Sequence, residues 1–146
     1  MKGTTNIPSC YVLLRKGDKA LFLMRANTGF MDGYYCLPSG HVEDMENFVT
    51  AAVRELKEET GIVADPKNLE HLITQHRKAE GNDNIRVDVF FTVDKWQGIP
   101  KNVETDKHSE IKWLNLNKLP ANVMDYTLHG IQQALMGKTY AEFGWK

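Results

Sequence analysis

The chain has 146 residues, of which 42% are hydrophobic and 25% are charged, and its formal net charge is −1. These values are typical of a globular protein, and the length predicts one domain with a single core over residues 1–146. The near-zero charge disfavours a protein that binds nucleic-acid phosphates, because such proteins usually carry a basic excess.

The sequence carries no signal for membrane insertion or secretion. No apolar run approaches the roughly 18–20 residues that cross a bilayer, and the first residues lack an apolar segment. The two cysteines, Cys10 and Cys36, and the five histidines form no zinc-binding pattern. We therefore expect a cytoplasmic protein with two buried, reduced thiols.

The N-terminal segment predicts a β-hairpin. Residues 9–15 and 20–25 are rich in strand-forming residues, and Lys16–Lys19 between them is typical of a turn. Arg25 ends the second strand. It is either a charge at a strand end or a contact to a substrate phosphate, since a guanidinium matches two phosphate oxygens.

The segment from Gly40 to Ile62 contains the strongest helix signal. Asn47 is a favourable N-cap, and Gly61 stands where a C-cap glycine belongs. Between them, apolar residues recur at i, i+3, i+4 and i+7 and predict a stripe that faces the core: Val49, Ala52, Val53 and Leu56.

A second face of this helix is acidic. Glu55, Glu58 and Glu59 stand at i, i+3 and i+4, and Arg54 and Lys57 offset part of their mutual repulsion. The face is either a solvated surface or a set of oxygen ligands for a hard divalent cation such as Mg²⁺.

The second half of the chain predicts further strands. Residues 69–76 and 85–93 are strand-like, with a polar turn at residues 79–84 between them. Arg86 and Asp88 share one face of the second of these strands. That face is either a solvent-facing edge or a wall of the substrate cleft.

A long irregular segment, a strand and a second helix complete the chain. Residues 96–108 predict a loop of the length that is often functional. A strand at residues 110–115 and a helix at residues 122–136 follow. Asn122 is the expected N-cap of that helix. Its predicted apolar face consists of Val123, Leu128, Ile131 and Leu135.

The spacing of residues around the acidic helix resembles a known family. The chain matches the Nudix box at each specified position: Gly40, five residues, Glu46, seven residues, then Arg54-Glu55-Leu56-x-Glu58-Glu59-x-Gly61-Ile62. At roughly 5–7% usage per specified residue, a chance match has a probability on the order of 10⁻⁹ per start. The chain thus resembles the Nudix hydrolases, which implies an α/β fold: the Nudix α/β/α sandwich, a mixed sheet flanked by helices.

The resemblance implies a reaction and a cofactor. Nudix hydrolases cleave a phosphoanhydride bond in a nucleoside diphosphate linked to another group, by attack of water at phosphorus, with Mg²⁺ or alternatively Mn²⁺. The implied metal ligands are Glu55, Glu58, Glu59, Glu46, the Ser39 carbonyl and Glu104. Glu104 follows a Trp-x-Gly-x-Pro pattern of MutT-type members, and Glu110 and Asp106 are the alternatives to it.

Catalytic roles are implied with alternatives left open. Glu58 is favoured as metal ligand and general base, with Glu55 or Glu104 as rivals, and Arg54 is expected to keep the box glutamates aligned. The chain departs from the family at Ser39, where many members have glycine, and at Met45, where glycine is frequent.

The substrate side is less defined. The residues implied to bind substrate are Arg25, Arg86 and Asn122, the last because MutT-type enzymes can read a nucleobase with an asparagine here.

The favoured substrate is a (d)NTP or a modified nucleotide. The alternatives are a pyrophosphatase for ADP-ribose or sugar nucleotides, and a regulatory domain that binds a nucleotide without cleaving it. RNA decapping and isoprenoid isomerisation lack support from charge and cysteine content. A homodimer is a family-based expectation, and no nucleic-acid or membrane partner is expected.

Overall fold

The computed structural model describes residues 3, 5–79 and 84–146. Residues 80–83 of the predicted polar turn lie outside the described residues, as do Met1, Lys2 and Thr4 of the N-terminal segment. The described elements are, in chain order, β1 (Asn6–Lys16), β2 (Lys19–Arg25), β3 (Tyr35–Cys36), β4 (Ser39–His41), α1 (Phe48–Thr60), a 3₁₀ turn (Pro66–Asn68), β5 (Glu70–Lys78), β6 (Ile85–Val93), β7 (His108–Asn115), α2 (Asp125–Leu135) and β8 (Tyr140–Phe143).

The strands of this part of the chain form one mixed sheet in the order β3-β2-β1-β6-β5-β8, with β4 paired to β1 and β7 paired to β2. The predicted hairpin is confirmed, since β1 and β2 pair antiparallel. β1 and β6 pair in parallel from Asn6↔Ile85 to Leu14↔Val93. Strand β1 therefore lies at the centre of the sheet, and its second antiparallel partner is β4, which leads into α1.

The two helices cover opposite faces of this sheet. Because side chains alternate along a strand, Val12 belongs to the buried cluster that includes Leu56 of α1, whereas Tyr11 belongs to the cluster that includes Ile131 of α2. Successive residues of β6 divide between the same two clusters. The expected α/β/α sandwich is confirmed.

Three expectations about local structure are wrong. Strand β6 is not an edge, because it lies between β1 and β5, and Asp88 on it is fully buried. Helix α2 begins at Asp125, so Asn122 is not its N-cap. The backbone of Asn122 instead accepts a hydrogen bond of 2.7 Å from the Tyr35 amide, which ties this segment to β3 before the helix begins. Leu135, expected on the apolar face, is 49% exposed.

The expectations for the cysteines and for membrane-spanning segments are tested on the described residues. Cys10 and Cys36 are both buried free thiols, as predicted, and burial raises the pKa of each to about 12. Among residues 3, 5–79 and 84–146, no helix is long and apolar enough to cross a bilayer.

Candidate functional site

Helix α1 begins and ends where the sequence predicts. The Asn47 side chain accepts a hydrogen bond of 2.8 Å from the amide of Thr50, and Gly61 adopts a left-handed conformation with φ of 78°. Ala52 and Leu56 are fully buried against the sheet. The apolar stripe thus fixes the rotation of the helix, and its acidic face turns towards β4 and the loop before the helix.

Glu59 is the most buried carboxylate of that face. Its side chain is only 8% exposed, and Oε2 accepts a hydrogen bond of 3.0 Å from the backbone amide of Ser39. Loss of hydration raises its pKa well above the ordinary value, and the nearby charges of Glu55 and Glu104 raise it further. A buried carboxylate with this surrounding favours a bound proton or a cation.

Arg54 organises the remaining carboxylates. Its guanidinium forms ion pairs with Glu43, Glu46, Glu55 and Glu58. Two bonds, of 2.8 and 2.9 Å, reach Glu46, and another of 3.2 Å reaches the carbonyl of His41. The Arg54 hydrogen bonds lower the pKa of Glu46 to about 2, so this carboxylate is ionised and held.

Glu55 and Glu58 differ in their surroundings. Glu55 is largely buried, contacts Arg54 at 2.8 Å, and has a raised pKa because burial outweighs that contact. Glu58 is half exposed, and its single hydrogen bond to Arg54 is longer, at 3.3 Å. One carboxylate is therefore fixed at the bottom of the acidic face, while the other borders solvent.

The loop before α1 comes unusually close to Glu55. A Cβ atom added at Gly40 would overlap the Glu55 carboxylate, which explains why glycine is needed there. Met45, which replaces the frequent family glycine, still adopts the left-handed conformation, with φ of 63°, and its side chain is almost fully exposed. The departure from the family pattern therefore leaves the glycine-like turn in place.

The loop after β6 brings one more carboxylate to this face. The amide of Val103 donates to the carbonyl of Glu59, and the charge of the next residue, Glu104, raises the pKa of both Glu55 and Glu59. Glu110, an alternative to Glu104, instead accepts a hydrogen bond from the Tyr35 hydroxyl. Of the three acidic residues considered for this place, Glu104 is the one coupled to the acidic face.

The carboxylate oxygens of the acidic face are the kind of ligand that a hard divalent cation prefers. Glu55, Glu59 and Glu104 offer carboxylate oxygens whose mutual repulsion a cation relieves. Within the described ranges, however, no three His, Cys, Asp or Glu side chains already converge as a metal site. Arg54 accounts for this, because it draws Glu46 and Glu58 around its guanidinium.

The residues expected to bind substrate lie in two places. Arg25 donates to the Phe30 carbonyl at 2.8 Å and to Thr28 Oγ1 at 3.0 Å, and Asn122 Nδ2 donates to the Gly33 carbonyl at 3.2 Å. Both side chains thus hold the loop between β2 and β3. Arg86 lies elsewhere, beside the loop before α1, and shares a hydrogen bond of 2.8 Å with the His41 ring.

His41 was missed by the sequence reasoning. Its carbonyl accepts from Arg54 and its ring meets Arg86, so one residue joins the acidic face to the strand that carries Arg86. Burial and the nearby Arg86 lower the pKa of the His41 ring, which favours its neutral form. Its position directly after Gly40 was the available signal.

A buried ion pair was also missed. Arg77 Nε donates to Asp88 Oδ2 at 2.6 Å, and the Tyr11 hydroxyl donates to the same carboxylate at 3.3 Å. The guanidinium also lies 3.8 Å from the centre of the Tyr126 ring. Asp88 therefore links strands and helix α2 inside the domain and does not face a cleft.

Comparison with known proteins agrees with the fold and with the acidic face described above. The NUDIX domain family matches residues 5–133. The ADP-ribose pyrophosphatase of Methanocaldococcus jannaschii is 32% identical over 115 residues, which are 78% of this chain, and this chain spans 64% of that relative's length.

Two solved structures illustrate the shared fold. The MutT NUDIX hydrolase from Burkholderia pseudomallei matches with a TM-score of 0.79 and 24% identity, over 88% of this chain and 98% of that one. The NUDIX domain of Shewanella oneidensis NrtR, solved in complex with ADP ribose, matches with a TM-score of 0.70 and 22% identity, over 92% of this chain and 90% of that one.

Proposed function

The chain belongs to the NUDIX domain family, and from this premise we propose that it is a divalent-metal-dependent pyrophosphohydrolase. Its substrate is a nucleoside diphosphate linked to a further group. The observation that carries the proposal is the buried Glu59 carboxylate, which accepts a hydrogen bond from the Ser39 amide and whose pKa is raised by burial and by the nearby charges of Glu55 and Glu104.

We assign Mg²⁺, with Mn²⁺ as the alternative, to the acidic face. Glu55, Glu58, Glu59 and Glu104 and the Ser39 carbonyl are the proposed ligands. Glu46 was also expected as a ligand, but its paired bonds to Arg54 favour a role in anchoring that arginine. The bound cation neutralises charge on the phosphate oxygens.

The side chains of this chain perform the remaining steps. The oxygen of a water molecule attacks phosphorus, the bond to the bridging oxygen breaks, and the water proton passes to a carboxylate. Glu58 is the proposed base, because it is half exposed and weakly bonded, while Glu55 and Glu104 stay as rivals. Arg54 holds these carboxylates in place.

Three residues are proposed to bind the rest of the substrate. Arg86 forms no ion pair with a carboxylate among the described residues, so its guanidinium can donate hydrogen bonds to a phosphate. Arg25 and Asn122 shape the loop between β2 and β3 and border the nucleoside end. The choice between nucleoside triphosphates and ADP-ribose as substrate depends on these loops. The 32% identity to an ADP-ribose pyrophosphatase favours testing ADP-ribose beside (d)NTPs.

The test is a substrate panel with the purified chain and Mg²⁺. It includes (d)NTPs, oxidised dGTP, ADP-ribose and sugar nucleotides, with products separated by chromatography. We expect one class to be hydrolysed, and Glu58→Gln to lose nearly all turnover. The control Glu70→Gln, at an exposed position of β5, retains full activity.

Two outcomes separate this proposal from its rivals. Full activity of Glu58→Gln contradicts the assigned site. If nothing is hydrolysed and a nucleotide nevertheless raises the melting temperature, the chain is a nucleotide-binding regulatory domain. The homodimer and the cytoplasmic location stay predictions.

A further inference from the structure

The loop that carries Glu104 is closed by one side chain, and we infer that Asn102 is a positioning residue that holds Glu104 against the acidic face of α1. The inference rests on the proposed function, because it gives Asn102 its effect through a proposed metal ligand. It adds a residue that lies outside the Nudix box and contacts none of the box carboxylates by hydrogen bond.

Hydrogen bonds within the loop fold it into a tight turn around Glu104. The amides of Lys107 and His108 both donate to the Glu104 carbonyl, at 2.9 and 3.0 Å. Asn102 Nδ2 donates to the His108 carbonyl at 2.7 Å. The asparagine side chain therefore joins the residues before Glu104 to the residues after it, and it is the side-chain bond that closes this turn.

The turn is also fixed to the end of α1. The last carbonyls of a helix have no partner within the helix. Here Lys101 donates to the carbonyl of Thr60 at 2.9 Å, and Val103 donates to that of Glu59 at 3.3 Å. The two donors flank Asn102, so the residue that closes the turn stands at the point where the turn docks on the helix.

The hydrogen bonds of this turn hold Glu104 in place against electrostatic repulsion from the acidic face of α1. The charge of Glu104 raises the pKa of Glu55 and Glu59, which means that the three carboxylates repel one another. The cation beside Glu104 is Lys107, with Nζ at 3.7 Å, and such an exposed pair contributes little. Without the Asn102 bond, we expect the loop to relax away from the helix and carry Glu104 with it.

The burial of this region favours a specific role for the amide. Asn102 Oδ1 and His108 Nδ1 are buried and have no hydrogen-bond partner among the described residues. Burying polar atoms without partners is unfavourable, so a side chain chosen for packing alone would be apolar. The donor on Nδ2 is the feature that distinguishes asparagine from an apolar residue here.

The test compares Asn102→Ala and Asn102→Leu with the wild type and with Asn68→Ala. Leucine keeps the branching at Cγ and the number of side-chain heavy atoms but lacks the donor. Asn68 is a matched control whose amide reaches the Lys95 carbonyl at 3.5 Å at an exposed position. We measure Mn²⁺ affinity by calorimetry and amide hydrogen exchange at Lys107 and His108 in metal-free protein. Both Asn102 variants should bind Mn²⁺ about 10–100-fold more weakly and exchange faster, and Asn68→Ala should match the wild type.

A double variant tests whether Asn102 acts through Glu104. In the Glu104→Gln background, Asn102→Ala should cause no further loss of Mn²⁺ affinity. An equal loss in both backgrounds overturns the inference, as does wild-type Mn²⁺ affinity in the folded Asn102→Leu variant. The wild type could hydrolyse no nucleotide while the Asn102 variants still bind Mn²⁺ more weakly than the wild type. In that case the proposed function fails and the positioning role stands. Absence of Mn²⁺ binding by the wild type overturns both.

Discussion

The backbone amide of Ser39 donates a hydrogen bond of 3.0 Å to Oε2 of Glu59. This bond joins the start of β4 to the last turn of α1, and it reaches a carboxylate that is 8% exposed. One hydrogen bond does not restore the hydration lost on burial, so the pKa of Glu59 remains raised. The acidic face therefore destabilises the metal-free protein whenever Glu59 is ionised.

A first prediction concerns the pH dependence of stability. The folded state binds the Glu59 proton more tightly than the unfolded chain, in which the pKa of this carboxyl is near 4.5. Ionisation of Glu59 therefore lowers the stability of the protein as the pH rises from about 4.5 through the raised pKa of the folded state. Glu59→Gln removes the effect. In EDTA at pH 8, we expect the variant to melt roughly 3–6 °C above the wild type, with no such gain near pH 4.

Added Mg²⁺ should reverse this ranking. The cation binds the ionised face of the wild type, so the wild-type Tm should rise while that of Glu59→Gln changes less. Calorimetric scans from pH 4 to pH 8, with and without Mg²⁺, measure both effects, and Glu70→Gln is the exposed control. A Tm difference that does not vary with pH would contradict the prediction.

A second prediction concerns Gly40. Because a Cβ at this position overlaps only the end of the Glu55 side chain, Gly40→Ala must displace that carboxylate and need not disturb the backbone. We expect kcat/KM to fall about 10–100-fold and the Mg²⁺ concentration for half-maximal rate to rise, with little change in Tm. Gly3→Ala, where the added Cβ meets nothing within 4 Å, is the control. A Gly40→Ala enzyme of normal Mg²⁺ dependence would show that Glu55 is not a ligand.

The sequence predicts features that depend on near neighbours. The caps of α1 at Asn47 and Gly61, and the strand that became β6, follow from local residue types and periodicity. The role of Asn122 does not, because its carbonyl is bound by Tyr35 of a distant strand, an interaction that only the folded sheet creates.

Burial of polar residues is similarly hidden from the sequence. Asp88 alternates with apolar residues as a solvent-facing strand residue would, yet it is buried because Arg77 on the neighbouring strand pairs with it. The acidic face shows the same limit. The i, i+3, i+4 spacing predicts that Glu55, Glu58 and Glu59 are neighbours, but the depth of each depends on how α1 rotates against the sheet.

A third prediction concerns Arg54. Lysine keeps the charge, but one ammonium cannot hold Glu46 through two bonds while also reaching Glu55 and the His41 carbonyl. Arg54→Lys should therefore lower kcat/KM about 10–100-fold and leave the far-ultraviolet circular dichroism unchanged. The control is Arg15→Lys, whose guanidinium contacts the Gly17 carbonyl at an exposed turn. If Arg54→Lys is as active as the wild type, the alignment of the box carboxylates does not depend on the guanidinium.

A fourth prediction separates structural from substrate-binding charges. Asp88 is fully buried in its pair with Arg77, and removal of one partner from such a pair leaves an uncompensated buried charge, at a cost of about 3–5 kcal/mol. Asp88→Asn should lose roughly this much free energy of unfolding in urea. Asp65→Asn breaks an exposed pair with Lys67 at 3.8 Å and should lose less than about 1 kcal/mol.

The activity of the same variant decides which role Asp88 has. Below its unfolding transition, Asp88→Asn should keep a KM close to that of the wild type, because the carboxylate faces Arg77 and Tyr11 inside the sheet. Arg86 lies beside the loop before α1, and Arg86→Lys should raise KM about 10-fold with little effect on stability, since the guanidinium is proposed to contact the substrate. A large KM change in Asp88→Asn, with stability equal to that of Asp65→Asn, would contradict this prediction and indicate that Asp88 contacts the substrate.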